Sequence, residues 1–221
     1  MQYIIKICVL ALATLLTQVA MAEDSPVKPF LRYVYGAEGI DISKVCLPSD
    51  DIWMLRGAKD ENALASVDAL MFETNRVSGV FCGMVGKDGY FVEVRGGKVD
   101  PAFSLEAQFQ LHRQLVKMFV YGCLCHNQRT LDRITTDAKK VEISGPKEAP
   151  PAGDMDVYEG VIGALPVVRT SKSSEDMKSK TVTYRVPVGE AGLSLTLAKK
   201  EGTWKVDTSK PVKVSLSFFY Q

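Results

Sequence analysis

The chain has 221 residues, with 27 Lys and Arg against 26 Asp and Glu, two histidines and five cysteines; 46% of its residues are hydrophobic and 24% charged. That balance excludes collagen-like, disordered and polybasic classes, and a formal charge of +1 gives no reason to expect nucleic acid or an anionic membrane as partner. The length accommodates one large domain or two small ones.

Residues 1–22 read as a secretory signal peptide. Lys6 is the only charge there, an apolar run extends from Ile7 to Val19, and Ala20-Met21-Ala22 supplies a small-x-small cleavage pattern before Glu23. The run is shorter than the roughly 20 residues that span a bilayer. Cys8 lies inside it rather than at its end, which does not suit a lipoprotein acceptor. The expected location is therefore outside the cytoplasm, periplasmic or secreted, with no transmembrane segment in the mature chain. Setting the segment aside leaves formal neutrality and four cysteines: Cys46, Cys82, Cys123 and Cys125.

The next stretch opens with an amphipathic helix from Pro29 to Tyr35, ended by Gly36, and a helical piece at Ile42–Leu47 stopped by Pro48. Ile52–Leu55 reads as a strand. Asp60–Asp68 reads as helix, because Asn62 to Ala65 carry no β-branching. Val77–Val85 and Tyr90–Val94 form an expected hairpin around Lys87-Asp88-Gly89.

A longer helix follows over Ser104–Tyr121, with Ser104 as N-cap and Leu105, Phe109, Leu111, Leu115, Met118 and Phe119 at helical spacing. Thr130–Ile134 is a second helical piece and Lys140–Ile143 a strand. Pro146–Asp154, with its prolines, and the Ser/Lys-rich Ser171–Lys180 read as exposed loops. Thr181–Val188, Leu193–Leu197, Trp204–Val206 and Val212–Phe219 complete the expected strands, the last alternating Val212, Val214, Leu216 and Phe218.

The chain echoes itself. Val34-Tyr35-Gly36 recurs as Val120-Tyr121-Gly122, Ser49-Asp50 as Thr136-Asp137, Gly57 as Gly145, Val85–Gly89 as Val188–Gly192, and Lys98-Val99-Asp100 as Lys205-Val206-Asp207, always in the same order. The expectation is an α+β protein of two unequal modules, 23–101 and 102–221, each with N-terminal helices packed on a curved antiparallel sheet.

The second module resembles the NTF2-like (cystatin-like α+β) superfamily. The resemblance rests on a long helix ending at Tyr121-Gly122, a short helix with Leu131 and Ile134 leading into Thr135-Thr136-Asp137, and the ending Gly202-Thr203-Trp204-Lys205-Val206-Asp207. It implies a curved sheet wrapped around the helices and a cone-shaped cavity, with Trp204 and Tyr121 as candidate wall residues. Superfamily members use that cavity for ligand binding, catalysis or partner docking. The first module is shorter, with Gly96-Gly97 in place of the Lys199–Trp204 hairpin, and the two would pack as a pseudo-dimer within one chain.

The densest reactive cluster is Cys123-Leu124-Cys125-His126. Its thiols are expected to join Cys46 and Cys82 in structural disulfides. A C-x-C redox pair and a metal site of Cys123, Cys125 and His126 are the alternatives, although His112, the only other histidine, stands at no recognised zinc spacing. Asp50-Asp51 reads as a capping pair. Trp53 and Trp204 suit either core packing or an aromatic ligand wall, and Phe218-Phe219-Tyr220 reads as core. No hydrolase, P-loop or dinucleotide motif is visible. The expected function is that of an exported, non-catalytic binding or protein-interaction protein needing no cofactor, its partner an unknown protein or small molecule. The alternatives are a ligand binder or enzyme using the second module's cavity, and a Cys/His redox or metal protein.

Overall fold

The computed structural model describes residues 25–72, 78–188 and 191–220. The expected signal peptide lies outside them, as do Val77 and Gly189-Glu190. The architecture is α+β, with helices and mainly antiparallel sheets. Two compact units divide the chain: one holds the described residues up to Ser49 together with Arg56–Ser104, the other Asp50–Leu55 together with the chain from Leu105 onward. The short segment Asp50–Leu55 thus folds with residues far ahead of it.

In the first unit, helix α1 (Val27–Val34) buries Val27, Phe30, Leu31 and Tyr33, the spacing of one helical face. Gly36 ends it at φ +80, where a Cβ would meet the Ala58 backbone at 2.6 Å, so only glycine fits. Helix α2 (Ile42–Val45) is one turn. Helix α3 (Glu61–Ala69) is capped by Asp60, whose carboxylate accepts from the Asn62 and Ala63 amides, and it buries Ala63, Leu64 and Val67. Strands β1 (Gly79–Val85), β2 (Asp88–Arg95) and β3 (Lys98–Asp100) form an antiparallel meander in that order. The first turn is Gly86-Lys87 rather than Lys87-Asp88-Gly89, since Val85 already pairs with Asp88. Gly86 at φ +61 takes the first central position, as a type II′ hairpin requires.

In the second unit, helix α4 (Ala102–Leu124) runs past the expected end at Tyr121. It starts ahead of Ser104, its Ala102 amide bonding the Asp100 carboxylate. Its inner face carries Leu105, His112, Val116, Phe119, Val120, Cys123 and Leu124. Gly122 is tolerated inside it because helix α5 (Gln128–Ile134) packs so closely that a Cβ there would lie 3.1 Å from Leu131. Strand β4 (Val141–Ser144) follows, then helix α6 (Met155–Ala164), which the sequence reading missed, then strand β5 (Val168–Arg169) and helix α7 (Ser173–Ser179). Strands β6 (Thr181–Val186), β7 (Leu193–Lys200) and β8 (Thr203–Val206) extend β5 into a sheet ordered β5-β6-β7-β8. Strand β9 (Val212–Ser215) lies parallel to β4.

Three expectations are corrected. Ile52–Leu55 is a 3-10 turn, not a strand. The supposed loop Ser171–Lys180 contains α7, and Lys180 ends that helix at φ +53. The last expected strand shortens to β9 and then turns into a 3-10 segment, Ser217–Tyr220; Phe219 is half-buried against the core, while the side chains of Phe218 and Tyr220 lie outside the described ones.

The motif Thr135-Thr136-Asp137 meets the Trp204–Asp207 ending in space. Thr135 bridges Val206, the Thr136 amide donates to the Val206 carbonyl, and the buried Thr208 hydroxyl accepts from the Asp137 amide at 2.7 Å. The core between α4 and the sheet holds Phe119, Leu124, Val182, Tyr184, Leu195 and Leu197. No described helix is long and apolar enough to cross a membrane.

Candidate functional site

Strand alternation puts polar side chains on the inner face of the four-stranded sheet. Residues directly opposite in antiparallel strands share a face. Arg169 stands opposite Tyr184, Tyr184 opposite Leu195, and Lys199 opposite Trp204. Since Leu195 and Lys199 are four residues apart on β7, all of these point the same way. Helix α4 faces them with Phe109 and His112, α7 contributes Ser173 and Asp176, and the Asp50–Leu55 turn contributes Asp51, Trp53 and Met54.

Arg169 organises the charges. Its Nη1 and Nη2 donate to the two Asp51 oxygens at 2.9 and 3.0 Å, a bidentate pair, and Nη2 also donates to Ser173 and to Asp176. The Asp176 side chain is only 2% exposed. Burial raises the Asp51 carboxyl, but its hydrogen bonds to Arg169 and Ser173 outweigh that and hold it below the ordinary carboxylate range. The same bonds, foremost those to Asp51, raise the Arg169 pKa further. The guanidinium lies 5.2 Å from the Phe109 ring centroid.

His112, 1% exposed, bonds the Tyr184 hydroxyl through Nδ1 at 3.0 Å. Desolvation, with lesser contributions from the Lys199 and Arg169 charges, lowers its pKa to about 3. The imidazole therefore stays neutral under ordinary conditions. Burial likewise lowers Lys199 to about 8, and its ammonium donates to the Met54 carbonyl. The rings form a continuous set: Trp53 to Trp204 at 5.9 Å, Trp204 to His112 at 4.3 Å, His112 to Tyr184 at 5.8 Å.

Four side-chain nitrogens in this group are buried without a hydrogen-bond partner among the described residues: Trp53 Nε1, His112 Nε2, Arg169 Nε and Trp204 Nε1. Buried polar groups are nearly always satisfied, so four orphans gathered among contacting side chains are unusual.

The other sequence-derived candidates lie elsewhere. Tyr121 is half-buried and its hydroxyl donates to Glu159 on α6 at 3.3 Å, so it does not join Trp204. Beside α6, Asp154, Val157, Tyr158, Val161 and Phe219 line a groove of about 400 Å³. Asp51 binds Arg169 across the fold, where the sequence suggested only local capping.

The expected disulfides are not present: Cys46, Cys82, Cys123 and Cys125 are free thiols. Cys46 bridges to Val99 on β3, whereas Cys82 sits on β1 with β2 between them. Even two strand spacings of about 4.8 Å exceed the reach of a disulfide, so Cys46 and Cys82 cannot bridge each other. Cys123 faces the core at the end of α4, and Cys125, two residues on, points to another side. Burial pushes the Cys46 and Cys123 thiols up to about 12, the reverse of the activation a redox pair requires. His126 bonds the Pro146 carbonyl through Nε2 at 2.9 Å. Among the described residues no three His, Cys, Asp or Glu side chains are placed to hold a metal ion.

Sequence reasoning missed Arg169, Tyr184, Asp176 and Lys199. Tyr184 carried a signal in its alternation with Val182 and Val186. Arg169 and Lys199 carried none, because Asp51 and Met54 are distant in the chain. Asp176, although seven residues from Arg169, lies in a polar stretch with no apolar pattern to mark it as buried. Comparison with family models, with curated proteins and with solved structures returns no match.

Proposed function

We propose that this is an exported, non-catalytic binding protein, whose second unit is an NTF2-like module and whose first unit is a shorter relative of it. The binding site is the interior of the second unit, with Trp204 in its wall. The single observation that carries this reading is the set of four buried, unpartnered nitrogens on Trp53, His112, Arg169 and Trp204. The three N–H groups of Trp53, Trp204 and Arg169 can only donate, so they favour a ligand that presents acceptors.

The electrostatics of the imidazole, carboxylates and thiols favour holding over proton transfer, and Lys199, lowered to about 8, is engaged by the Met54 carbonyl. A general base works best with a pKa near the operating pH, and His112 lies far below it. Asp51 and Asp176 are both taken up by Arg169, and the buried thiols stay protonated.

Trp53 and Trp204 are the only tryptophans in the chain, so intrinsic emission reports on this interior alone. Titration with a panel of small amides, sugars and carboxylates is expected to yield one class that shifts the emission saturably and raises the melting temperature. His112→Phe is expected to remove that response. If every member of the panel leaves wild-type emission and melting unchanged, the reading is wrong.

A further inference from the structure

We propose that the interior of the second unit is a receptor for a short acidic–aromatic peptide, and that Asp50–Leu55 is the occupant this chain supplies for itself. The proposal rests on the binding reading above and names the class of partner.

Asp50–Leu55 is packed with the second unit, while Ser49 and Arg56 on either side of it belong to the first. Within a few residues it makes several kinds of contact used in peptide recognition. The Asp51 carboxylate takes a bidentate hold from Arg169. The Trp53 ring packs on Trp204. Met54 is fully buried in the core. The Met54 carbonyl accepts from Lys199, whose ammonium also lies 5.5 Å from the Trp204 centroid. Arg169 and Lys199 give the receptor face its positive groups, matching an acidic anchor.

The segment is held as a guest is held. Its own structure is a single 3-10 turn closed by the Met54 amide on the Asp51 carbonyl at 2.9 Å. It belongs to no described sheet. With it in place, three nitrogens of the receptor face, Trp204 Nε1, Arg169 Nε and His112 Nε2, have no hydrogen-bond partner among the described residues. The fit is therefore improvable, and a partner segment with an acid, an aromatic two residues on, and carbonyl acceptors between them competes for the same groups.

The test uses the full chain and a fluorescein-labelled peptide of residues 48–57, read by anisotropy. In the chain carrying Asp51→Asn and Trp53→Ala the internal segment loses its anchors, and the peptide is expected to bind at least about tenfold tighter than to wild type. A peptide with Asp51→Asn is expected to lose about tenfold in turn. A variant that stays folded by circular dichroism yet refuses the peptide overturns the proposal, as does equal binding to both chains. Hydrogen exchange on the unaltered chain gives a check that needs no variant: amides of Ile52–Leu55 should exchange about a hundredfold faster than those of β6 and β7. Exchange of all of these only together, through global unfolding, overturns it as well. A small ligand that shifts tryptophan emission while the peptide is refused removes this proposal and leaves the binding reading standing; silence in both experiments removes both.

Discussion

At the scale of single residues, His112 sets the acid limit of the second unit. Its folded pKa of about 3 lies below the ordinary 6.5, so between those values the unfolded chain binds a proton that the folded chain refuses. The His112 contribution is fully present above about pH 6.5 and is lost as pH drops toward 3, by about 5 kcal/mol over the whole window. Asp51, held below the ordinary carboxylate range, adds its own loss only at the bottom of that window. His112→Asn is expected to flatten the curve between pH 6.5 and 4.5 in urea unfolding; an unchanged slope would show that the imidazole is not the titrating group. Much of this site was hidden from sequence reading. Trp53 and Trp204 stood out as aromatics on short elements, but an arginine in a two-residue strand between polar segments looks like any surface arginine. Its bidentate partner lies 118 residues away, which no local pattern around Arg169 discloses.

At the scale of elements, local chemistry decided what could be read in advance. The α1 helix, α3 and the β1–β2 pairing depend on nearby residues and were legible, whereas α4 was legible as a helix but not in its face. Leu111 and Met118, expected on the apolar stripe, are exposed, and His112, Val116, Val120 and Cys123 are buried instead. Ile52–Leu55 was not legible, since an apolar tetrapeptide fits strand or turn equally, and Asp51, Trp53 and Met54 are held by distant groups. Helix α7 escaped for a related reason: its buried residue is the charged Asp176, so it shows no apolar periodicity. The glycines around α1 offer a sharper test. Gly36 and Gly39 both have positive φ, +80 and +75, but a Cβ on Gly36 strikes the Ala58–Lys59 backbone at 2.6 Å, while one on Gly39 meets nothing within 4 Å. Gly36→Ala is expected to cost about 3 kcal/mol and Gly39→Ala about 1 kcal/mol. Equal losses in denaturant titrations would mean that backbone conformation alone governs both sites.

At the scale of the whole molecule, the four described cysteines grade the protein by depth. Cys82 is exposed on the outer face of β1, Cys125 is half-buried beside Tyr121, and Cys46 and Cys123 are buried with thiols near 12. Pulse alkylation of the native protein, read by peptide mass spectrometry, is expected to modify Cys82 first and Cys125 later. Cys46 and Cys123 should react only on unfolding. Early modification of Cys123 would mean that the end of α4 opens on its own. The α+β class was legible from the alternation of helical and strand patterns. The thiol state was not, because a count of cysteines carries no information about the strands that separate them.

The parallel pairing of β4 with β9 has a consequence in time. The first unit's sheet is a meander whose partners are separated by short turns, and such hairpins close within microseconds. Val141 must instead find Val212, and Asp51 must find Arg169 across 118 residues, before those contacts return any free energy. Chains with distant contacts fold slowly. The second unit, whose β4–β9 and Asp51–Arg169 contacts join distant residues, is expected to become native after the first, an order that pulsed hydrogen exchange during refolding would read directly.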